Sequence, residues 1–183
     1  SLKGIRVLEM AQIMAGPTCG LLLADLGAEV IKIEKTPAGD DTRNFLPPDV
    51  NGVSAAYLMM NRNKKGIALN LKDKEGIEIF KTMIKNSDVV LENFRKGTLE
   101  KLGIGYDTMS KINPKIILCE ISGYGRTGPY ANKGGFDLVA QGMSGLMSIT
   151  GEDKNKPPMK VGAPLTDITA GLLAASGILA ALI

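Results

Sequence analysis

Histidine is absent from the 183-residue chain. That single gap excludes Ser/His/Asp and Cys/His nucleophile systems, histidine-ligated zinc and any imidazole base. Cysteine occurs only twice, at Cys19 and Cys119, each inside an apolar stretch. With no disulfide framework and no CxxC pair, these read as two buried thiols in a reducing compartment, and no metal site is expected. Also missing is any block of one charge sign. The 22 basic and 19 acidic residues are interspersed, for a net charge of +3, which argues against a nucleic-acid partner and against a polybasic membrane anchor while leaving a small anionic ligand open. Residues 1–10 lack the apolar core and cleavage site of a signal peptide. The C-terminal apolar run, residues 168–183, contains Thr169, Gly171, Ser176 and Gly177 and falls short of the ~20 residues of a membrane helix. A cytoplasmic chain without a membrane span is expected.

What is present is the composition of a globular domain, 44% hydrophobic and 22% charged, in a chain long enough for one sizeable core. Short β-branched runs at residues 5–10, 30–33, 67–71, 89–91 and 116–121 alternate with helical patterns. This predicts an α/β fold, a Rossmann-like, mostly parallel sheet flanked by helices. The first helix follows "AGP", with Pro17 suited to its first position, Leu21, Leu22 and Leu26 on its face and Gly27 just past its end. A second helix spans residues 73–85, with Ile77, Phe80 and Ile84 on one side. Residues 36–53, rich in Pro, Gly, Asp and Asn, read as a long surface loop, and residues 150–160 as an exposed connection. The last helix carries Ile168, Leu172, Ala175, Leu179 and Leu182 at helical spacing and further apolar residues on its other sides, so burial nearly all round is expected. Its abrupt end suggests the first part of a longer protein whose remainder would cover it.

Several stretches offer chemistry, each with a structural alternative. "AQIMAGPTCG" joins a strand to a helix and exposes backbone N–H groups to an anion, with Glu34 placed as a ribose-binding acid would be; but GxGxxG is absent, and a plain tight turn fits as well. Lys32, Lys35 and Arg43, with Arg62, Lys64, Lys65 and Lys72 further on, cluster near strand ends. They suit a phosphate or merely solvate those ends. Asn93 and Phe94, in "ENFRKG", suit an adenine or an amide-bearing arm, or else a cap and turn. The glycine-dense segment 122–145 implies backbone flexibility or close ligand approach, with Asp137 either a second carboxylate or a helix cap. Asp167, in "PLTDITAG", has the pattern of a cap or first-turn residue, and the same geometry would hold a nucleophile toward an activated acyl group. Pattern alone does not choose.

The motifs "LEMAQIMAGPTCGLLLADLGAEVIKIEKTPAGDDTR", "NRNKKGIALNL", "DVVLENFRKGTLEKLGIGYD", "SGYGRTGPYANKGGFDLVAQGMSG" and "KVGAPLTDITAG" together resemble, in order and over essentially the whole chain, the N-terminal part of the family III CoA-transferases. The resemblance implies that residues 1–183 are the N-terminal part of a large CoA-binding domain, truncated, with the C-terminal part and small domain absent. It implies interlocked homodimers, coenzyme A or acyl-CoA and a small carboxylic acid as substrates, and no tightly bound cofactor. The reactive residue would be Asp167, which attacks an acyl-CoA to form an aspartyl anhydride and then an aspartyl-CoA thioester. Contacts to CoA would fall on Met14 and Ala15, on Lys35, on Leu69, Asn70, Leu71 and Lys72, on Asn93, Phe94 and Arg95, and on Lys101; Gly135, Phe136 and Asp137 would line the acyl site. Met14 replaces the Gln of some transferases, so only its backbone contact carries over. Racemases of the same superfamily place a catalytic His where this chain has Phe136, which argues for transfer. A non-catalytic CoA-binding module and a nucleotide-dependent oxidoreductase are the alternatives, separable by aspartyl trapping and by NAD(H) against CoA binding.

Overall fold

A computed structural model describes residues 1–153 and 155–183. Five short strands, β1 (Arg6–Glu9), β2 (Glu29–Glu34), β5 (Lys65–Ala68), β6 (Val89–Glu92) and β7 (Ile117–Glu120), form one parallel sheet in the order β5-β2-β1-β6-β7. β3 (Asp49–Val50) and β4 (Val53–Ser54) pair as a small separate hairpin. The sheet grows from β1 in one direction and then, from β6, in the other. At that reversal the connections leaving β1 and β6 diverge, opening a crevice beyond the carboxyl ends of the two strands.

Side-chain alternation along the strands divides the core in two. Val7, Val89 and Leu91 face one layer, built with α1 (Ala15–Asp25) and α7 (Leu165–Ala181). Leu8 and Val90 face the other, with α3 (Lys74–Ile84), α4 (Thr98–Lys101) and α5 (Tyr106–Ile112). α2 (Ala55–Asn61) and α6 (Asp137–Met143) lie outside these layers. α7 comes down directly on α1. Gly171 permits this, since a Cβ there would run into the Ala15 carbonyl and the Thr18 side chain.

α1 begins at Ala15, so Pro17 is its third residue; the first-turn N–H groups have no intrahelical partner, and proline costs nothing there. Leu26 is exposed, whereas Leu21 and Leu23 are buried. The edge strand β5 spans Lys65–Ala68, not residues 67–71. Residues 36–53 are more than a surface loop: Asp40 and Thr42 are buried and a 3-10 turn, Asp41–Asn44, follows. α7 is not buried all round. Gly171, Ala175 and Ile178 are covered by α1 and the sheet, but Leu173 is 67% exposed and Leu172 is exposed beside it. In the connection at residues 150–160, Lys154 lies outside the described residues; its described neighbours are turns and extended chain on the surface. Among the described residues no helix is long and apolar enough to cross a membrane.

Candidate active site

The crevice holds a cleft of about 500 Å³. One wall is the loop after β1, from Gln12 to the start of α1. A second is the loop after β6, with Asn93, Phe94 and Arg95, and a third is the glycine-rich segment after β7; Asp167 and Ala170 of α7 close the side between them. The first two walls are tied together by Asn93. Its Oδ1 accepts the Gln12 N–H at 2.9 Å and its Nδ2 donates to the Gln12 carbonyl at 2.8 Å. The amide that the sequence offered to an adenine is thus spent on the backbone of the neighbouring loop.

Beneath the first wall lies a buried charge cluster. Lys32 donates to Glu9 at 3.0 Å and to the Ala11 carbonyl at 2.9 Å, and pairs with Asp40 at 2.8 Å, while the Lys64 ammonium sits 2.8 Å from the other Glu9 oxygen. Burial works to lower the Lys32 pKa, but Glu9 and Asp40 outweigh it and raise it. Lys32, 1% exposed, therefore neither solvates a strand end nor is free to hold a phosphate. Asp40 also accepts the N–H of Ile13, a β-branched residue held at φ +69° in the cleft wall. That conformation persists only where its surroundings over-determine it, and the Asp40 carboxylate supplies part of that constraint. Glu34 is likewise occupied: it accepts from Arg43 in bidentate fashion, from Tyr57 and from the Asp40 N–H. Burial opposes ionisation, but these bonds, Arg43 first, hold its carboxyl down at about 2. Neither Glu34 nor Arg43 is left for a ribose or a phosphate. The signal for the buried cluster was Glu9 inside an apolar strand, a charge that burial forces to find partners.

At the head of α7 the two candidate carboxylates divide the work. Asp137, the first residue of α6, accepts the N–H of Thr166 at 2.9 Å and its hydroxyl at 2.7 Å, and takes a further bond from Gln141 at 2.7 Å. It therefore caps α7, not its own helix, whose first N–H groups it leaves untouched. Burial would raise its pKa, but the bonds from Thr166, Gln141 and the Asp167 N–H lower it. Asp167, third residue of α7, is half-buried at the cleft, and its pKa is raised by burial and by the charge on Asp137. A carboxylate poorly solvated and repelled by a neighbour is a more reactive nucleophile than a free one. Cys19 and Cys119 offer no competing nucleophile, since burial pushes both thiols up, Cys119 to about 11.

Of the residues expected from the sequence, Met14, Ala15, Asn93, Phe94, Arg95, Gly135, Phe136 and Asp167 all line this cleft, with Asp137 directly behind Asp167. Leu71, Lys72 and Lys101 instead share a second, shallower depression of about 440 Å³ beside α3. Lys35 is exposed and paired with Asp41 at 2.6 Å. Leu69 is a core side chain, and Asn70 spends its amide on the turn before α3, bonding Asp73 and the Lys72 N–H, so these two reach neither cleft through their side chains. Lys96 follows Arg95 in the basic pair of "ENFRKG", and Lys133 was not singled out from the sequence. They line the main cleft and, like Arg95, carry no ion pair among the described residues.

Residues 2–183 match the profile of CoA-transferase family III. The chain is 47% identical over 182 residues to the succinyl-CoA:glutarate CoA-transferase of Mus musculus, covering all of this chain and 42% of that protein. It is 44% identical over 184 residues to the formyl-CoA:oxalate CoA-transferase of Streptomyces avermitilis, covering 100% and 44%. Among solved structures, a CAIB/BAIF family protein from Brucella suis superposes with a TM-score of 0.94 at 44% identity, over 99% of this chain and 48% of that one. A hypothetical protein from Mycobacterium tuberculosis gives 0.90 at 37% identity, over 100% and 50%. The chain spans less than half the length of these curated relatives.

Proposed function

Because the chain belongs to CoA-transferase family III, we propose that it contributes the CoA-binding half-site and the nucleophile of an acyl-CoA:carboxylate CoA-transferase. The observation that carries this reading is Asp167, half-buried at the cleft with Asp137 ionised behind it. In the proposed reaction, an Asp167 oxygen attacks the thioester carbonyl of the donor and expels CoA as its thiolate, leaving a mixed anhydride. The thiolate then attacks the Asp167 carbonyl, releasing the donor acid and leaving an aspartyl-CoA thioester. The acceptor carboxylate attacks that thioester, and the CoA thiolate it frees attacks the acceptor acyl carbonyl of the new anhydride, restoring the Asp167 carboxylate. Every nucleophile is an anion, so no imidazole base is required, consistent with a chain that has none.

The cations suit the substrates. Arg95, Lys96 and Lys133 in the main cleft would attract carboxylates or phosphates, and Lys72 and Lys101 in the second depression would attract the phosphates of the nucleotide end of CoA. The segment between Asn93 and Leu102 borders both. Glutarate and oxalate in the names of two relatives suggest a small dicarboxylic acid as acceptor. In the same reading residues 1–183 form the N-terminal part of a large CoA-binding domain, working in the cytoplasm. A homodimer is part of it too, since exposed Phe136, Leu138, Leu172 and Leu173 offer apolar surface to cover.

The test is exchange of a labelled acid into its CoA ester by the protein carrying this chain. Asp167→Ala should abolish exchange while leaving CoA binding largely intact, and hydroxylamine should trap the activated Asp167 carboxyl in the unmutated protein. Full turnover in Asp167→Ala would remove Asp167 as nucleophile.

A further inference from the structure

The glycine-rich wall is an Ω-loop. Its ends meet where Gly123 and Gly135 cross so closely that a Cβ on either would collide with the backbone of the other. Between them, Tyr124 and Tyr130 stack edge-to-face at 5.4 Å, Lys133 lies 4.0 Å over the Tyr130 ring, and Ala131 is buried. These contacts shape the loop internally but do not fix it to the sheet. Among the described residues, one side chain does. Arg126 reaches back to the carboxyl ends of two strands, pairing with Glu92 of β6 and, at 2.9 Å, with Glu120 of β7; its Nη1 also donates to the Phe94 carbonyl at 3.3 Å. Glu92 in turn accepts the Phe94 N–H at 2.6 Å. Phe94 is part of the second cleft wall, so the guanidinium joins that wall to the Ω-loop.

We propose that Arg126 is a positioning residue, which presets the separation of the Ω-loop and the 93–96 loop so that the cleft is open to a CoA ester before one arrives. The proposal rests on the reading of the cleft as a CoA site. The physical reason is entropic: a loop of this length with glycines at 123, 125, 128, 134 and 135 samples many conformations unless something outside it limits them. If an untied loop is competent about a tenth of the time, the apparent dissociation constant rises roughly tenfold.

Two readouts test it on wild type, Arg126→Met and Arg126→Lys: calorimetric binding of coenzyme A, and amide hydrogen exchange. Arg126→Met should speed exchange at residues 123–135 and 93–96 while the core strands stay protected, and should weaken CoA binding roughly tenfold. Arg126→Lys, which keeps the charge and one donor, should recover most of both. Unchanged exchange in the two loops overturns the proposal, as does faster loop exchange with unweakened binding. Faster exchange across the whole sheet without recovery by Lys assigns Arg126 to the fold alone and also overturns it. If wild type binds no CoA, the functional reading fails separately, and the tie is judged by the exchange pattern.

Discussion

Asp137 and Asp167 share the N-terminus of α7 but not its hydrogen bonds: Asp137 takes the Thr166 N–H and hydroxyl, and Asp167, one residue further into the helix, is left at the cleft with no ion pair among the described residues. A capping carboxylate from a different helix leaves the helix's own carboxylate facing the cleft. It also sets a negative charge beside that carboxylate, which with burial pushes the Asp167 pKa up.

That pairing fixes the sign of a pH effect. Asp137→Asn keeps an oxygen to cap Thr166 but removes the charge, so the Asp167 pKa should fall toward its ordinary value. In the proposed reaction Asp167 attacks as its carboxylate, so the acidic limb of the exchange rate should move to lower pH. A limb that stays in place would show that burial alone sets Asp167. Asp137→Ala, which removes the cap as well, should cost about 1 kcal/mol of stability by thermal or chemical denaturation.

A second contrast concerns lysines. Lys32→Met leaves Asp40 buried without its ion partner and Glu9 with Lys64 alone, and breaking such a buried pair costs about 3–5 kcal/mol. Lys65→Met breaks a pair with Glu29 on the surface, exposed to solvent, and should leave the denaturation midpoint unchanged. Equal losses in the two variants would mean that the buried cluster contributes nothing special.

These lysines also show where sequence reading stops. β1, β2 and β6 were legible because buried parallel strands read as short, mostly apolar runs, and their parallel direction followed from alternation with helices; the order of the strands in the sheet did not. Lys32 was not, because a lysine flanked by isoleucines looks the same whether it meets water or two carboxylates; Asp40, eight residues on in an apparently polar loop, decides it. Asp167 was found through its motif, yet its cap lies thirty positions away in Asp137, a relationship that local spacing does not encode. The burial of α7 is narrower than its sequence implies for the converse reason: periodicity reports which faces are apolar, not which have something to pack against.

The close approach of α1 and α7 leads to a third prediction. A Cβ at Gly171 meets the Ala15 carbonyl and Thr18, atoms of a helix backbone and a β-branched side chain that have little room to give. Gly171→Ala should therefore push the helices apart, at a cost of about 1–3 kcal/mol despite the better helix propensity of alanine. Since Asp167 lies one helical turn before it, exchange activity should fall more than CoA affinity. A variant as stable as wild type would show that α7 shifts freely on α1.

The last prediction is a pH dependence of stability from Glu92. Burial at the end of β6 raises its pKa to about 7, against the bond from Phe94 and the charge of Arg126, which lower it. In the unfolded chain the same carboxyl titrates near 4.5. The folded state thus holds the proton more tightly, and the resulting stability is fully present below pH 4.5 and is lost as pH rises through 7, by about 3 kcal/mol at most. Glu92→Gln keeps a neutral acceptor for Phe94 and Arg126 but cannot titrate. Urea midpoints measured from pH 5 to 8 should fall in wild type relative to Glu92→Gln, with the difference growing across that interval. Parallel curves would place the Glu92 carboxyl in the same protonation state throughout and refute the shift.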